Sequence, residues 1–364
     1  MRRFLFIICL SVLAGCSQPG QRTSVEDLAM ASSMAFDVIN DEEMRMTVSL
    51  PHPSTGSKEN TQTYSADVKL IQEGLVEIST ESDKMILLNQ LRTILFSEDF
   101  ARTGRMAEVV EHFYRNSTVG NNVRLAIVKE QAEDVLRAKF TDKPNMDSYL
   151  NDLLQPKLHT SFSPFTTIHD FQYSETNPVF YSQVPYFELK KDSVKIVSIA
   201  LFDSGKMIDT ISSKQSSLIQ ALKGLDKLSP LALTIEEGGK KELVHIELIK
   251  NKAKITSNKN LESPKLSIYL SLQGALYEYK GDKDLGQDKE YKELEKAISQ
   301  EVQKEVEKLL KKLRQLEVDP IGLSEYFRMY YDGKWTEELT KQIMMTAEYE
   351  VTVDFNLLNT GTLK

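Results

Sequence analysis

The sequence predicts a multidomain α+β, or mixed α/β, protein whose central β-sheets are packed by helices, with strands largely antiparallel in the C-terminal half. Three observations predict it. Helical and strand-like patterns alternate through the first half, paired alternating runs around glycine turns fill the second, and one long amphipathic helix covers Lys289 to Leu316. At 364 residues the chain also exceeds the ~250 to 300 at which a single hydrophobic core stops growing, so more than one domain is expected.

The first segment in chain order stands apart from the fold. Arg2 and Arg3 precede an apolar run from Phe4 to Val12, and Leu13-Ala14-Gly15-Cys16 closes it with small residues and a thiol. This is the pattern of a secretory signal with a lipoprotein ending, far shorter than the ~20 apolar residues of a spanning helix. Cleavage is expected after Gly15, leaving Cys16 as the residue that takes up diacylglycerol and an N-acyl chain. After Cys16 no apolar run is long enough to cross a bilayer, so membrane residence rests on lipid. Two buried acyl chains, at ~0.8 kcal/mol per methylene, anchor stably where one is marginal. The chain then divides into a signal peptide (1–15), a lipidated tether (16–23), an N-terminal α/β region (24–190) open to division into two subdomains, and a C-terminal α+β domain (191–364).

Charge and cysteine content narrow the function. Without Arg2 and Arg3, 43 of the 45 basic residues remain against 53 acidic ones, a balance of −10. Such a surface repels phosphate backbones and argues against nucleic-acid binding. Of the two cysteines, Cys9 leaves with the signal and Cys16 would be acylated, so packing and not disulfides must hold the fold.

An apolar segment from Leu28 to Ile39 leads into Met44, Met46, Val48 and Leu50, which alternate with polar residues and predict a half-buried strand. PHPSTGSKENTQT, from Pro51, reads as a loop. Tyr64 to Ser79 has helical spacing (Val68, Ile71, Leu75, Ile78), interrupted by Gly74. Asp83 to Phe96 fits a buried strand or a helix equally well. A helix over Glu108 to Tyr114, a strand through Val123, Leu125 and Ile127, a helix over Glu130 to Lys139 and a short one around Tyr149 to Leu154 follow. From Thr160 to Tyr186, Pro164, Pro178 and Pro185 lie among Phe162, Phe165, Phe171, Tyr173, Phe180 and Tyr181. Aromatics beside prolines predict an interdomain seam here.

The second half opens with a hairpin around Asp203-Ser204-Gly205-Lys206, then a short helix from Ser216 to Leu222. LALTIEE and ELVHIELI flank Gly238-Gly239 as a second hairpin. Leu266, Ile268, Leu270 and Leu272 alternate in a further strand. In the long helix, Leu294, Ile298, Val302, Val306, Leu309, Leu313 and Leu316 recur every three or four residues, and charged residues fill most other positions. One face is therefore buried, and a helix laid across a sheet is expected. Asp319-Pro320-Ile321-Gly322 ends it. Tyr349, Val351, Val353, Phe355 and Leu357 form a closing strand, and one antiparallel sheet covered by helices is expected for this half.

Catalytic and metal chemistry leaves no convincing pattern. His52, His112, His159, His169 and His245 lack the spacing of a helical zinc site. Asp203-Ser204-Gly205-Lys206 lacks the upstream glycine and the Ser/Thr after lysine of a phosphate loop. Asp282, Asp284 and Asp288 around Gly286 do not match the ligand spacing of a calcium loop.

In this order and spacing, the lipobox Leu13-Ala14-Gly15-Cys16, LAMASSMAFDV followed by MRMTVSL, KIVSIALFDSGKMIDTIS, and the long helix followed by VDPIGLSEYFRMYY, Trp335 and EYEVTVDFNLLNTG resemble the Ger(x)C family of spore germination lipoproteins. Ser17 stands where members often carry a Trp, and Ser33 to Asp37 where they tend to have a GIGID-like run. The resemblance implies a multidomain α/β body on the outer face of the spore inner membrane. It also implies A-type and B-type integral membrane subunits as partners in a nutrient germinant receptor, and no catalytic residue, cofactor or metal. The alternative is a solute-binding lipoprotein of a transporter, which calls for parallel βαβ repeats and a deep interlobe cleft.

Overall fold

The computed structural model describes residues 27–52, 60–160, 162–237 and 239–358; Gly15, Cys16, the tether and the loop residues 53–59 lie outside them. The chain enters at β1 (Leu28–Met30) and β2 (Ser33–Val38), turns at Asn40 into β3 (Met44–His52), and returns as β4 (Asn60–Val68). Helix α1 (Ile71–Glu81) leads to β5 (Met85–Leu87), which pairs in parallel with β1, and then to β6 (Thr93–Ser97). Helices α2 (Glu98–Thr103) and α3 (Met106–Arg115) precede β7 (Arg124–Val128), and α4 (Ala132–Arg137), α5 (Met146–Leu153) and α6 (Ile168–Thr176) precede β8 (Gln183–Lys190). The hairpin β9 (Ser193–Asp203) and β10 (Lys206–Ser212) follows. Eight of these strands form one sheet in the order β10-β9-β8-β7-β6-β2-β3-β4.

The middle of that sheet is parallel, β2 to β6, β6 to β7 and β7 to β8, and its flanks are antiparallel hairpins. Parallel neighbours need crossover connections, in which α1 lies between β2 and β6, α2 and α3 between β6 and β7, and α4 to α6 between β7 and β8. The central strands are consequently covered on both faces, and every residue of β6 is buried. That double burial is why TILF carries no period of two and reads as well for a helix. On one face Phe36 stacks on Phe96 and meets Phe100 of α2 and Phe113 of α3 at a tilt, with centroids 5.5 to 6.1 Å apart, in a core that also takes in Leu75 and Ile78 of α1. On the other, Ala35, Leu95, Ala126 and Val128 lie under Val135, Leu136 and Leu150 of α4 and α5. The carboxylate of Asp37 on β2 accepts the amides of Ala132 and Glu133 at 2.7 and 2.9 Å. It thereby caps α4, whose own N-cap residue Gln131 makes no side-chain cap.

One expectation needs correction here. Tyr64 to Val68 is not helix but the end of β4, because Tyr64, Ala66 and Val68 also fit a period of two and pair with Val48, Met46 and Met44. Helix begins only at Ile71. The boundary drawn between 190 and 191 falls in the turn joining β8 and β9, and the hairpin after it pairs back onto β8 as part of the eight-stranded sheet.

Helix α7 (Ser213–Leu222) then leads to a second sheet, ordered β11 (Leu231–Glu237), β12 (Lys240–Ser257), β13 (Lys265–Lys280) and β14 (Glu348–Leu358). Between β13 and β14 come α8 (Asp288–Leu316), α9 (Glu325–Arg328) and α10 (Glu337–Thr346). The sheet is antiparallel except for its last pair, where β14 runs parallel to β13. The sheet is largely antiparallel, as expected, and the long crossover through α8 to α10 is what permits its one parallel pair. Leu294, Ile298, Val302, Val306, Leu309 and Leu313 of α8 are buried over Ile268, Leu270, Leu272, Val351, Val353 and Phe355. Each is worth about 1.5 to 3 kcal/mol in transfer free energy. The same core takes in Val179, Tyr181, Ile199 and Leu201, so apolar packing is continuous between the two sheets.

Candidate functional site

The expected modification site, Cys16 with its cleavage neighbour Gly15, lies outside the described residues. What the structure fixes is the point where the chain enters the fold: Leu28 pairs with Met85 at the β1–β5 edge. Eleven covalent steps, 16 to 27, limit any reach from Cys16 to about 40 Å.

The aromatic stretch predicted as a seam supplies three cores at once. Phe171 enters the core beneath α3, Phe165 the one under α5, and Val179 and Tyr181 the one around α8. Against this stretch sits the turn that ends α8. Gln183 donates through Nε2 to the Pro320 carbonyl at 3.0 Å, and Gly322, at φ +87°, faces the Phe180 ring. Trp335 Nε1 donates to Thr340 Oγ1 at 2.8 Å, and that hydroxyl donates to the Pro178 carbonyl at 2.6 Å. Lys341 bridges Asp203 and Glu337, 3.0 Å from each. The Asp319–Ser324 turn and α10 therefore clasp the end of the first sheet.

Two carboxyls in this clasp are far from ordinary. Asp319 is fully buried and accepts the amides of Gly322, Leu323 and Ser324 and the Ser324 hydroxyl, all at 2.7 to 2.8 Å. Burial pushes its pKa up, and those four donors pull the other way. Glu175 is pushed up to about 7, first by burial and then by the charge of Asp203, with the Ser182 hydroxyl opposing. Sequence reasoning named Asp319 only as part of the stop after α8 and did not name Glu175. An Asp followed by Gly three and Ser five residues later is the local sign of the Asp319 turn, but nothing near Glu175 in sequence announces Asp203 or Glu337.

The remaining sequence patterns are structural. Asp203-Ser204-Gly205-Lys206 is a hairpin turn with Ser204 and Gly205 at φ +48° and +73°. Asp282 pairs with Lys240 at 2.6 Å, and Asp284 accepts the Gly286 amide ahead of α8. Among the described residues, no three His, Cys, Asp or Glu are arranged to hold a metal ion, and no helix is long and apolar enough to cross a membrane. Crevices of about 400 and 310 Å³ flank Phe180 and Tyr181. Both are lined by Phe180 and Tyr181, and parallel crossovers are confined to the middle of the first sheet, since two of the three strand pairings in the second are antiparallel, unlike the repeated parallel units of a solute-binding protein.

Comparison with known proteins gives the same architecture a family. Residues 21–189 match the model for the spore germination protein N-terminal domain, and 198–361 match the spore germination B3/GerAC-like C-terminal model. The chain belongs to the Ger(x)C, or GerAC, family. This Ger(x)C protein is 27% identical to spore germination protein GerQC of Bacillus cereus over 99% of both chains. It is 21% identical to spore germination protein B3 of Bacillus subtilis, over 97% of this chain and 96% of that one. The crystal structure of the GerBC protein superposes with a TM-score of 0.57 at 17% identity, covering 90% of this chain and 97% of that one. The Ger(x)C assignment makes this a spore germination protein of a non-enzymatic family, C subunit-like, with sheets packed by helices including α8.

Proposed function

We propose that this chain is the lipid-anchored C subunit of a spore nutrient germinant receptor, held at the outer face of the spore inner membrane by acylated Cys16. It acts there through contacts with the A-type and B-type integral membrane subunits. The observation that carries the reading is the end-to-end match to a spore germination protein, joined to Leu13-Ala14-Gly15-Cys16 at the start of the same chain. The clasp between the two sheets supports it, because a body that transmits contact and performs no chemistry needs its parts locked together. Two acyl chains supply the membrane residence that no described helix provides. Deleting the gene and exposing spores to a panel of amino acids, sugars and nucleosides tests the reading. Loss of the response to one nutrient class supports it; unchanged responses to all of them sink it.

A further inference from the structure

The second sheet buries one face under α8 and leaves the other uncovered, and the charges on that open face are sorted by strand. Lys250, Lys252 and Lys254 project from β12, and Glu348, Glu350 and Asp354 from β14, all exposed. Between them β13 presents Ser267, Tyr269, Ser271 and Gln273, with Tyr269 42% exposed. The register sets Lys252, Ser271 and Asp354 in one row across the three strands. Neighbouring strands lie about 4.8 Å apart, so base and acid in a row are separated by about 10 Å. Within the chain the stripes stay apart: the three lysines make no ion pair among the described residues, while Glu348 pairs with Lys265, Glu350 accepts from Ser267 and Asp354 from Asn356.

We propose that this face is a self-association surface that takes a second copy of the same chain, packed sheet to sheet about a two-fold axis lying along β13. Geometry selects that axis. A two-fold parallel to the strands carries β12 of one copy over β14 of the other, so Lys252 meets the second copy's Asp354 and the two Tyr269 rings meet at the axis. A two-fold across the strands would instead set lysine over lysine and carboxylate over carboxylate, which electrostatics forbids. Twisted sheets pack face to face at about −30° and about 10 Å, a distance lysine and carboxylate side chains bridge. The eleven paired positions of β13 and β14, at about 3.3 Å each, make a face about 36 Å long and 14 Å wide. Two copies bury about 1,000 Å², the lower bound for a specific interface, so the dimer is reversible and concentration-dependent.

Sedimentation equilibrium on residues 16–364 carrying Cys16→Ala, which removes lipid and hence micelles from the measurement, tests this. The expected result is a monomer–dimer equilibrium with a dissociation constant of about 1 to 100 µM, weakening as salt rises. Lys252→Glu and Asp354→Lys should each weaken the dimer about tenfold, and the two together, which exchange the charges, should restore it to within about threefold. Both positions are exposed, so unchanged melting curves show that the variants fold. A chain that stays monomeric at about ten times the weakest expected constant overturns the proposal, as does a double exchange no better than either single change. Monomeric protein whose single reversals slow germination assigns the face to a different protein and equally overturns self-association.

Discussion

The Phe180 ring occupies the space that a side chain on Gly322 would need: a Cβ built there lies 2.6 Å from Phe180 Cε1. Gly322 belongs to the turn that ends α8, and Phe180 to the aromatic stretch ahead of β8, so this contact joins the two sheets. A positive φ of +87° and a ring at contact distance together make glycine the residue that lets the clasp close.

Gly322→Ala should therefore destabilise the chain by about 2 to 3 kcal/mol, summing the left-handed backbone cost and the overpacking. Gly224 is the control. It has φ +81° but nothing within 4 Å of a built Cβ, so Gly224→Ala should cost only about 1 to 2 kcal/mol. Urea unfolding of both variants isolates the ring contact, and Phe180→Leu should recover part of the loss at Gly322 alone.

Asp319 organises the same turn from inside. Asp319→Ala would strand three amides and a hydroxyl in a site with no exposure, at a cost of about 3 to 5 kcal/mol. Asp319→Asn keeps an acceptor for only two of the four donors and turns an NH2 toward the other two, so it should lose less than Asp319→Ala but at least half as much. Equal losses in chemical denaturation would show that the hydrogen bonds do not hold the turn.

Much of this architecture is legible one segment at a time. Alternation marks β13 and β14 because each has one buried and one wet face, and the three-four spacing from Leu294 to Leu313 marks α8 for the same reason; β3 alternates too, but it is not half-buried as expected, since its polar Thr47 and Ser49 are covered as well, Ser49 donating to Asp147 of α5 at 2.8 Å. Where both faces are buried and apolar, as in β6, the pattern vanishes. Pairing partners are less visible still: the parallel register of Ile268 with Val351, and the return of β9 onto β8, depend on crossovers and turns that no local period encodes. The clasp is the extreme case, since Pro178 and Thr340 meet across 162 positions of chain. Cys16, by contrast, is named by its four-residue context and lies outside the described fold.

The raised pKa of Glu175 gives the stability of the fold a pH dependence with a definite sign. The folded chain keeps this proton to about pH 7, whereas the unfolded chain releases it near 4.5, so between those values the folded state binds more protons. This group's contribution is therefore favourable at the acid end and is lost as pH rises through 7, by about 2 to 3 kcal/mol in all. Glu175→Gln should flatten the fall between pH 5 and 7 and make the variant more stable than the parent at pH 8. A parent and variant with parallel stability profiles over that range would place the charged carboxylate in solvent instead.

The anchor proposal makes its own demand on one sulfur. If Cys16 carries diacylglycerol, Cys16→Ala should leave the folded body intact, with unchanged melting, and move it from the membrane to the aqueous fraction. The acyl chains and not the protein surface supply the affinity, since a balance of −10 opposes adsorption to anionic lipid. Spores carrying the variant should then lose the nutrient response, because the tether of at most about 40 Å no longer holds the body beside its membrane partners. Mass spectrometry of protein from its native host reads the acylation, and fractionation with a germination assay reads the rest. A variant that stays with the membrane points to anchoring by protein contacts alone, and a soluble variant with a normal response removes anchoring from the mechanism.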